Sequence, residues 1–172
     1  YTSRTQALLS ALIQGGERVD AVTRPGYPND RNDVHVMHAE AVQTVNAVIY
    51  TRLTGPQSNS TPFDHYCERA SASLSQMIEK TGATIVHAAS NYLNAMPALI
   101  AARKAGLPFV YEVRGLWELT QAAKDPQFEL SERFRWQREQ EARVAAAADR
   151  VLTISQGLKA ELIQRGVDAR KI

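Results

Sequence analysis

Side chains that could bind a polar ligand are concentrated after three β-prone runs in the second half of the sequence. Sugars present many hydroxyls to planar polar groups and one apolar face to an aromatic ring, so this inventory suits a carbohydrate. An arginine beside the start of a helix also suits a phosphate. The candidate residues are His87, Ser90, Asn91, Arg114, Gly115, Trp117, Glu118 and Ser155.

Six of these eight candidates also have an explanation without a ligand. His87 could close its strand by hydrogen bonding to backbone. Arg114 and Glu118 could form an ordinary surface ion pair, which would contribute little to stability. Trp117 could anchor the next helix in the core. Asn91 and Ser155 could simply cap the helices that follow them.

Motifs of several enzyme classes are missing from the sequence. It has no Walker loop, no G-x-S-x-G, no H-E-x-x-H, no G-x-G-x-x-G and no paired-cysteine metal motif. We therefore expect no metal site and no resident cofactor. The one cysteine, Cys67, excludes an internal disulfide framework and fits a reducing compartment.

The elements that must position the candidates alternate between strand and helix. Strands of about five residues separated by helices are typical of a parallel sheet, whose carboxyl ends lie at one edge and bind ligands there. The three loops should therefore meet. The predicted strands are 84–88, 108–113 and 150–154, and the predicted helices are about 94–105, 128–148 and 156–165.

The first half of the chain is less regular. It predicts a helix over 2–15, a short strand over 18–23, a hairpin formed by 41–45 and 48–53, and a helix that begins after Pro62 and ends at Gly82. The whole pattern predicts one α/β domain over residues 1–172. Its class is a Rossmann-like, three-layer α/β/α fold with a mainly parallel sheet and a hairpin insertion around 40–53.

Charge and hydropathy argue against a nucleic-acid-binding protein and against a membrane span. The 20 Lys and Arg residues against 18 Asp and Glu give a net charge of +2, and the charges are mixed rather than clustered. A nucleic-acid surface would need a basic stripe, so no nucleic-acid partner is expected. No run approaches the ~18 apolar residues of a membrane span, and no signal peptide is recognised. We expect a cytoplasmic protein, and its weakly basic balance permits peripheral contact with the cytoplasmic membrane.

Three segments resemble the amino-terminal domain of family-four glycosyltransferases. The main one, residues 86–118, contains Val-His-Ala-Ala-Ser-Asn and ends in Val-Arg-Gly-Leu-Trp-Glu. Residues 147–155 are similar to the family's A-D-x-V-x-x-x-S strand, and residues 1–9 to the helix after its first strand. The resemblance runs in the same order along almost the whole chain.

That resemblance implies one half of a GT-B architecture, in which two Rossmann-like domains face a cleft. It implies a retaining transfer of a sugar from a nucleotide-sugar to a glycan or lipid-linked acceptor, in bacterial exopolysaccharide or cell-surface glycan synthesis. By position, His87 faces the transferred sugar and is the catalytic candidate, and Arg114 contacts an acceptor hydroxyl or phosphate. The other implied substrate-binding residues are Arg4, Ser90, Asn91, Gly115, Trp117, Glu118 and Ser155.

The family's nucleotide-binding residues belong to a second, carboxyl-terminal domain that the resemblance does not find here. Stabilising the departing phosphate is a large electrostatic contribution to such a reaction, so we expect this half alone to be inactive. The family's first strand would precede Tyr1. The rival readings are a sugar-nucleotide 2-epimerase of the same architecture, a non-catalytic module that binds an acceptor or partner, and, more weakly, a dinucleotide dehydrogenase.

Overall fold

The computed structural model of the protein describes residues 2–28 and 40–172. The chain divides into two compact units, Tyr1–Ser73 and Leu74–Ile172. In the described part of the chain each unit contains its own three-stranded sheet. The predicted α/β class is confirmed, and the prediction of a single domain stays a prediction.

The first unit is built around a β-hairpin. Its elements are α1 (Thr2–Gln14), β1 (Ala21–Thr23), β2 (Val42–Val45) and β3 (Val48–Arg52). Strand β3 lies between the other two, parallel to β1 and antiparallel to β2.

The hairpin was predicted from sequence, and the structure confirms it. Its two turn residues, Asn46 and Ala47, have φ angles of 47° and 66°. Positive φ at both central positions matches the twist of a two-residue hairpin turn. Helix α2 (Phe63–Thr81) follows, with Asp64 in its first turn and Gly82 (φ 63°) after its last residue.

The second unit contains a fully parallel sheet in the order β4-β5-β6. Each strand is followed by a helical segment, as the alternating pattern predicts. The elements are β4 (Val86–Ala89), α3 (Tyr92–Lys104), β5 (Phe109–Val113), α4 (Trp117–Ala122), α5 (Pro126–Glu129), α6 (Glu132–Ala147), β6 (Arg150–Thr153) and α7 (Gln156–Gln164).

Strand register sorts side chains between the two faces of this sheet. Phe109, Tyr111 and Val113 are fully buried. They lie on one face because alternate residues of a strand point the same way. Helix α3 packs against β4, β5 and α6, and its alanines permit close approach. The small buried residues at these contacts are Ala95, Ala98, Ala101, Ala102, Ala145 and Ala148.

The opposite face carries the polar candidates. His87 pairs in register with Val110, and Ala89 with Glu112, so His87 and Glu112 share that face. Apolar residues on or beside it are exposed, including Leu152 and Ile154. Because β4, β5 and β6 are parallel, their carboxyl ends form one edge, which we call the rim: residues 90–91, 114–118 and 154–155.

The prediction of one helix over 128–148 was wrong at its start, because α6 occupies only Glu132–Ala147 of that range. Asp125 caps the short α5, which begins at Pro126, and Ser131 starts α6 by accepting a hydrogen bond from Phe134 N–H at 3.1 Å. Two caps so close together divide the segment, because each fixes a separate helix start. Within 2–28 and 40–172, no helix has the length and apolar character needed to cross a bilayer.

Candidate functional site

A buried carboxylate, Glu112, organises the rim. Its side chain is 1% exposed, and its Oε2 lies 2.5 Å from Arg114 Nη2 and 3.7 Å from His87 Nε2. A charge in this position must be paired, and the buried guanidinium supplies the partner. Glu112 therefore connects a histidine on β4 with an arginine after β5.

The loop after β4 is tied to the same cluster. Ser90 Oγ accepts a hydrogen bond from Arg114 N–H at 3.1 Å. Ser90 N–H in turn donates to the Glu112 carbonyl at 2.9 Å, which extends the β4–β5 ladder past the end of β4. The structure thus brings together three of the predicted site residues, His87, Ser90 and Arg114, and Glu112 holds them.

His87 presents a neutral ring to this cluster. Burial lowers its pKa below the ordinary value, and the nearby Arg114 lowers it further, while Glu112 acts in the opposite direction. A neutral imidazole offers one donor and one acceptor, which is what a sugar hydroxyl can use. Its side chain remains 29% exposed, so a ligand can reach it.

Trp117 begins α4 at the end of the loop after β5, and its side chain is 52% exposed. The alternative that it anchors the helix in the core is therefore wrong. An exposed indole at the rim is available for stacking on an apolar face. Gly115 lies half-buried in the same loop, between Arg114 and the buried Leu116.

Glu118 makes a contact that the sequence did not predict. Its Oε1 lies 2.7 Å from Nη1 of Arg165, and both side chains are 1% exposed. Arg165 Nε also lies 2.9 Å from Oε1 of Glu161. The alternative of a surface pair between Arg114 and Glu118 is wrong, because each is buried with another partner. The pair joins the start of α4 to the end of α7.

Two candidates cap helices, as their alternative explanations proposed. The Asn91 side chain accepts from Leu93 N–H at 3.2 Å and is buried at the start of α3. Ser155 Oγ accepts from Leu158 N–H at 3.2 Å at the start of α7, and Ser155 is exposed. A capping role does not exclude ligand contact for an exposed hydroxyl. Arg4 lies exposed on α1 in the first unit.

A surface recess of about 620 Å³ lies at the other edge of this sheet, by the amino ends of β5 and β6. Arg103 Nη1 lies 2.8 Å from Asp149 Oδ2 there, and Arg150 Nη1 donates to the Asp149 carbonyl at 3.0 Å, so these charged groups already have partners. Ligands of parallel sheets bind at the carboxyl ends, so the rim is the better candidate. Among the described residues, no group of three or more His, Cys, Asp or Glu side chains could hold a metal ion.

Comparison with known proteins identifies the family of the chain. The family model for the glycosyl transferase 4-like domain matches residues 1–172. No curated protein matches the chain. Because the matched region covers every residue, this chain belongs to the glycosyl transferase 4-like family.

Proposed function

We propose that this chain forms the acceptor side of a retaining glycosyltransferase that moves a hexose from a nucleotide-sugar to a glycan or lipid-linked acceptor. Membership of the glycosyl transferase 4-like family supports transfer chemistry. The observation that carries the proposal is the cluster of His87, Ser90, Glu112 and Arg114 at the carboxyl edge of a parallel sheet.

The charges of the cluster favour a hydroxyl-rich ligand. His87 is neutral by the direction of its pKa, and the Arg114 guanidinium faces the Glu112 carboxylate. The three groups therefore sum to no net charge, and they would not retain a phosphate strongly. Within the proposal, His87 hydrogen-bonds the transferred sugar and Arg114 contacts an acceptor hydroxyl.

The other proposed binding residues of the second unit lie in the rim loops. Trp117 supplies an apolar platform, and the exposed Ser155 supplies a hydroxyl at the next strand end. The rim loops are shaped by Ser90, Asn91, Gly115 and Glu118. Arg4 is proposed as a binding residue from the resemblance alone. The nucleotide and its diphosphate are proposed to bind to the carboxyl-terminal domain of the family architecture, with no cofactor besides the donor. The setting is proposed to be glycan synthesis at the cytoplasmic face of the membrane.

A binding and turnover experiment tests the proposal. The full-length protein is incubated with UDP-glucose, UDP-N-acetylglucosamine or GDP-mannose and a polyprenyl-phosphate sugar acceptor, and products are identified by mass spectrometry. We expect a glycosylated acceptor that keeps the anomeric configuration of the donor. Epimerised nucleotide-sugar without transfer would instead favour the 2-epimerase reading, and acceptor binding without any conversion would favour a non-catalytic module.

His87→Gln is the informative variant because it keeps a polar group but changes the donor and acceptor geometry. We expect it to reduce turnover at least about a hundredfold, the scale of a lost transition-state contact. The matched control is His65→Gln on α2, where the histidine is exposed. Equal activity of both variants would overturn the role of His87.

A further inference from the structure

A second buried carboxylate, Glu141 on α6, reaches the rim from the other face of the sheet. Its Oε1 accepts a hydrogen bond from Tyr92 N–H at 3.0 Å, and its Oε2 accepts one from the Tyr111 hydroxyl. Glu141 is 1% exposed and Tyr111 is fully buried. Neither the sequence pattern nor the proposed reaction accounts for this carboxylate.

Both donors belong to elements that build the rim. Tyr92 is the first residue of α3 and directly follows Ser90 and Asn91. Tyr111 precedes Glu112 in β5. One carboxylate therefore fastens the turn after β4 to the strand that carries Glu112, without lying among the proposed ligand contacts.

The charges around Glu141 come from several elements. Glu118 of α4 disfavours its ionised form, and Arg165, directly after α7, favours it. Tyr92 of α3 and Tyr111 of β5 donate to it, and Arg133 on its own helix acts on Tyr92. Burial is the largest effect and raises the pKa of Glu141 to about 7. Its charge thus changes within the neutral pH range.

We propose that Glu141 is a positioning residue for the rim: its negative charge holds the turn at Ser90–Tyr92 against β5, and loss of that charge weakens substrate binding. An ionised acceptor makes stronger hydrogen bonds than a neutral one, so the turn is held more firmly when Glu141 is ionised. The substrate consequence rests on the proposed function, whereas the effect on the turn rests only on the contacts of Glu141.

Hydrogen exchange tests the effect on the turn without any substrate. Peptides covering residues 90–95 of the full-length protein are followed by mass spectrometry from pH 5.5 to 8.5, with rates corrected for intrinsic exchange. In the wild type we expect protection at Tyr92 N–H to rise through about pH 7. Glu141→Gln should keep a low, pH-independent protection, and Glu139→Gln, an exposed carboxylate on the same helix, should match the wild type.

Tyr111→Phe provides a second variant should Glu141→Gln not fold. The Tyr111 hydrogen bond lowers the pKa of Glu141, so its removal should move the midpoint of the protection profile to higher pH. If both variants show the same pH profile of Tyr92 N–H protection as the wild type, Glu141 is not a positioning residue.

Kinetics then test the link to substrate, with UDP-glucose, UDP-N-acetylglucosamine and GDP-mannose as donors. Acceptor KM should rise about three- to tenfold in Glu141→Gln at pH 8, the scale of one weakened hydrogen bond, with little change in kcat. The wild-type KM should approach that of the variant at pH 5.5. If hydrogen exchange at the turn changes in Glu141→Gln but the pH dependence of acceptor KM does not, the turn does not control substrate binding. Altered exchange in a protein that turns over none of the donors would count against the proposed function while leaving the turn contact in place.

Discussion

At the residue scale, the buried charges of the second unit are held in pairs. Glu112 pairs with Arg114 and Glu118 with Arg165, and every one of these side chains is at least nine-tenths buried. Leaving one partner alone in the interior costs several kcal/mol, so such pairs constrain which loops can lie together more than they add to stability. Glu141 differs, because its carboxylate accepts hydrogen bonds from Tyr92 N–H and from the Tyr111 hydroxyl.

Glu141 gives stability a pH dependence whose sign follows from its pKa. Folding raises that pKa from the ordinary value of 4.5 to about 7, so the folded state binds the proton more tightly than the unfolded state. The resulting stabilisation is complete below pH 4.5 and is lost as pH rises towards 7. A shift of this size corresponds to at most about 3 kcal/mol.

Glu141→Gln should remove this dependence. Urea denaturation of both proteins from pH 5 to 8 gives their difference in unfolding free energy, in which contributions of other groups cancel. As pH rises, we expect the unfolding free energy of the variant to increase relative to that of the wild type, by up to about 3 kcal/mol. A difference that stays constant with pH, or one that moves the other way, would contradict a raised pKa. Charge at this site would therefore favour the rim geometry and oppose overall stability.

The rim residues could be predicted from sequence only in part. The βα alternation was enough to bring together the ends of β4 and β5, and with them His87, Ser90 and Arg114. Glu112 had a signal, since a carboxylate inside an apolar strand needs a buried partner. Arg165 and Glu141 had none, because the contacts of Glu141 join residues 49 and 30 positions apart in the chain. Only the packing of the helices determines which of the charged residues on α6 and α7 face inward.

At the element scale, capping residues determine where the helices of the second unit begin. Asn91 and Ser155 were recognised as possible caps, and both do cap their helices. Asp125 before Pro126 and Ser131 before α6 carry the same signal, yet residues 128–148 were predicted to form one continuous helix. The hydrogen bonds accepted by the Asp125 and Ser131 side chains fix where these helices start. The spacing of apolar and polar residues does not show such bonds.

Ser155 allows its capping and ligand roles to be separated. Ser155→Ala should lower the unfolding free energy by about 1 kcal/mol because Leu158 N–H loses its acceptor. Ser155→Asp keeps a capping oxygen and should restore stability, while its charge and size should weaken acceptor binding if the hydroxyl contacts the ligand. Urea denaturation and acceptor titration provide the two measurements.

The control for Ser155 is Ser131→Ala, which removes an equivalent cap from α6. It should cost a similar unfolding free energy and leave acceptor affinity unchanged. If Ser155→Asp is as stable as the wild type and binds acceptor equally well, Ser155 is a cap and not a ligand.

At the scale of the whole molecule, the two units differ in how well they cover their sheets. The second unit buries four of the five residues of β5, whereas β3 in the first unit buries only Val48. Both strands have five residues and lie at the centre of a three-stranded sheet, so their hydrogen-bond ladders are comparable. The hairpin formed by β2 and β3 exposes large apolar side chains, including Val42 and Ile49. The two units therefore differ in how far the side chains of their central strands are buried, and not in the backbone hydrogen bonding of those strands.

This difference predicts unequal local stability. Strands with few buried contacts open at low free energy, whereas well-covered strands open only with the global transition. In native-state hydrogen exchange of the full-length protein, amides of β5 should therefore exchange more than about tenfold more slowly than amides of β3. Low concentrations of urea should leave the exchange of β3 almost unchanged and accelerate that of β5, because only the opening of β5 exposes a large surface. Equal protection of the two strands, or stronger protection of β3, would show that coverage of the sheet does not set the local stability of this chain.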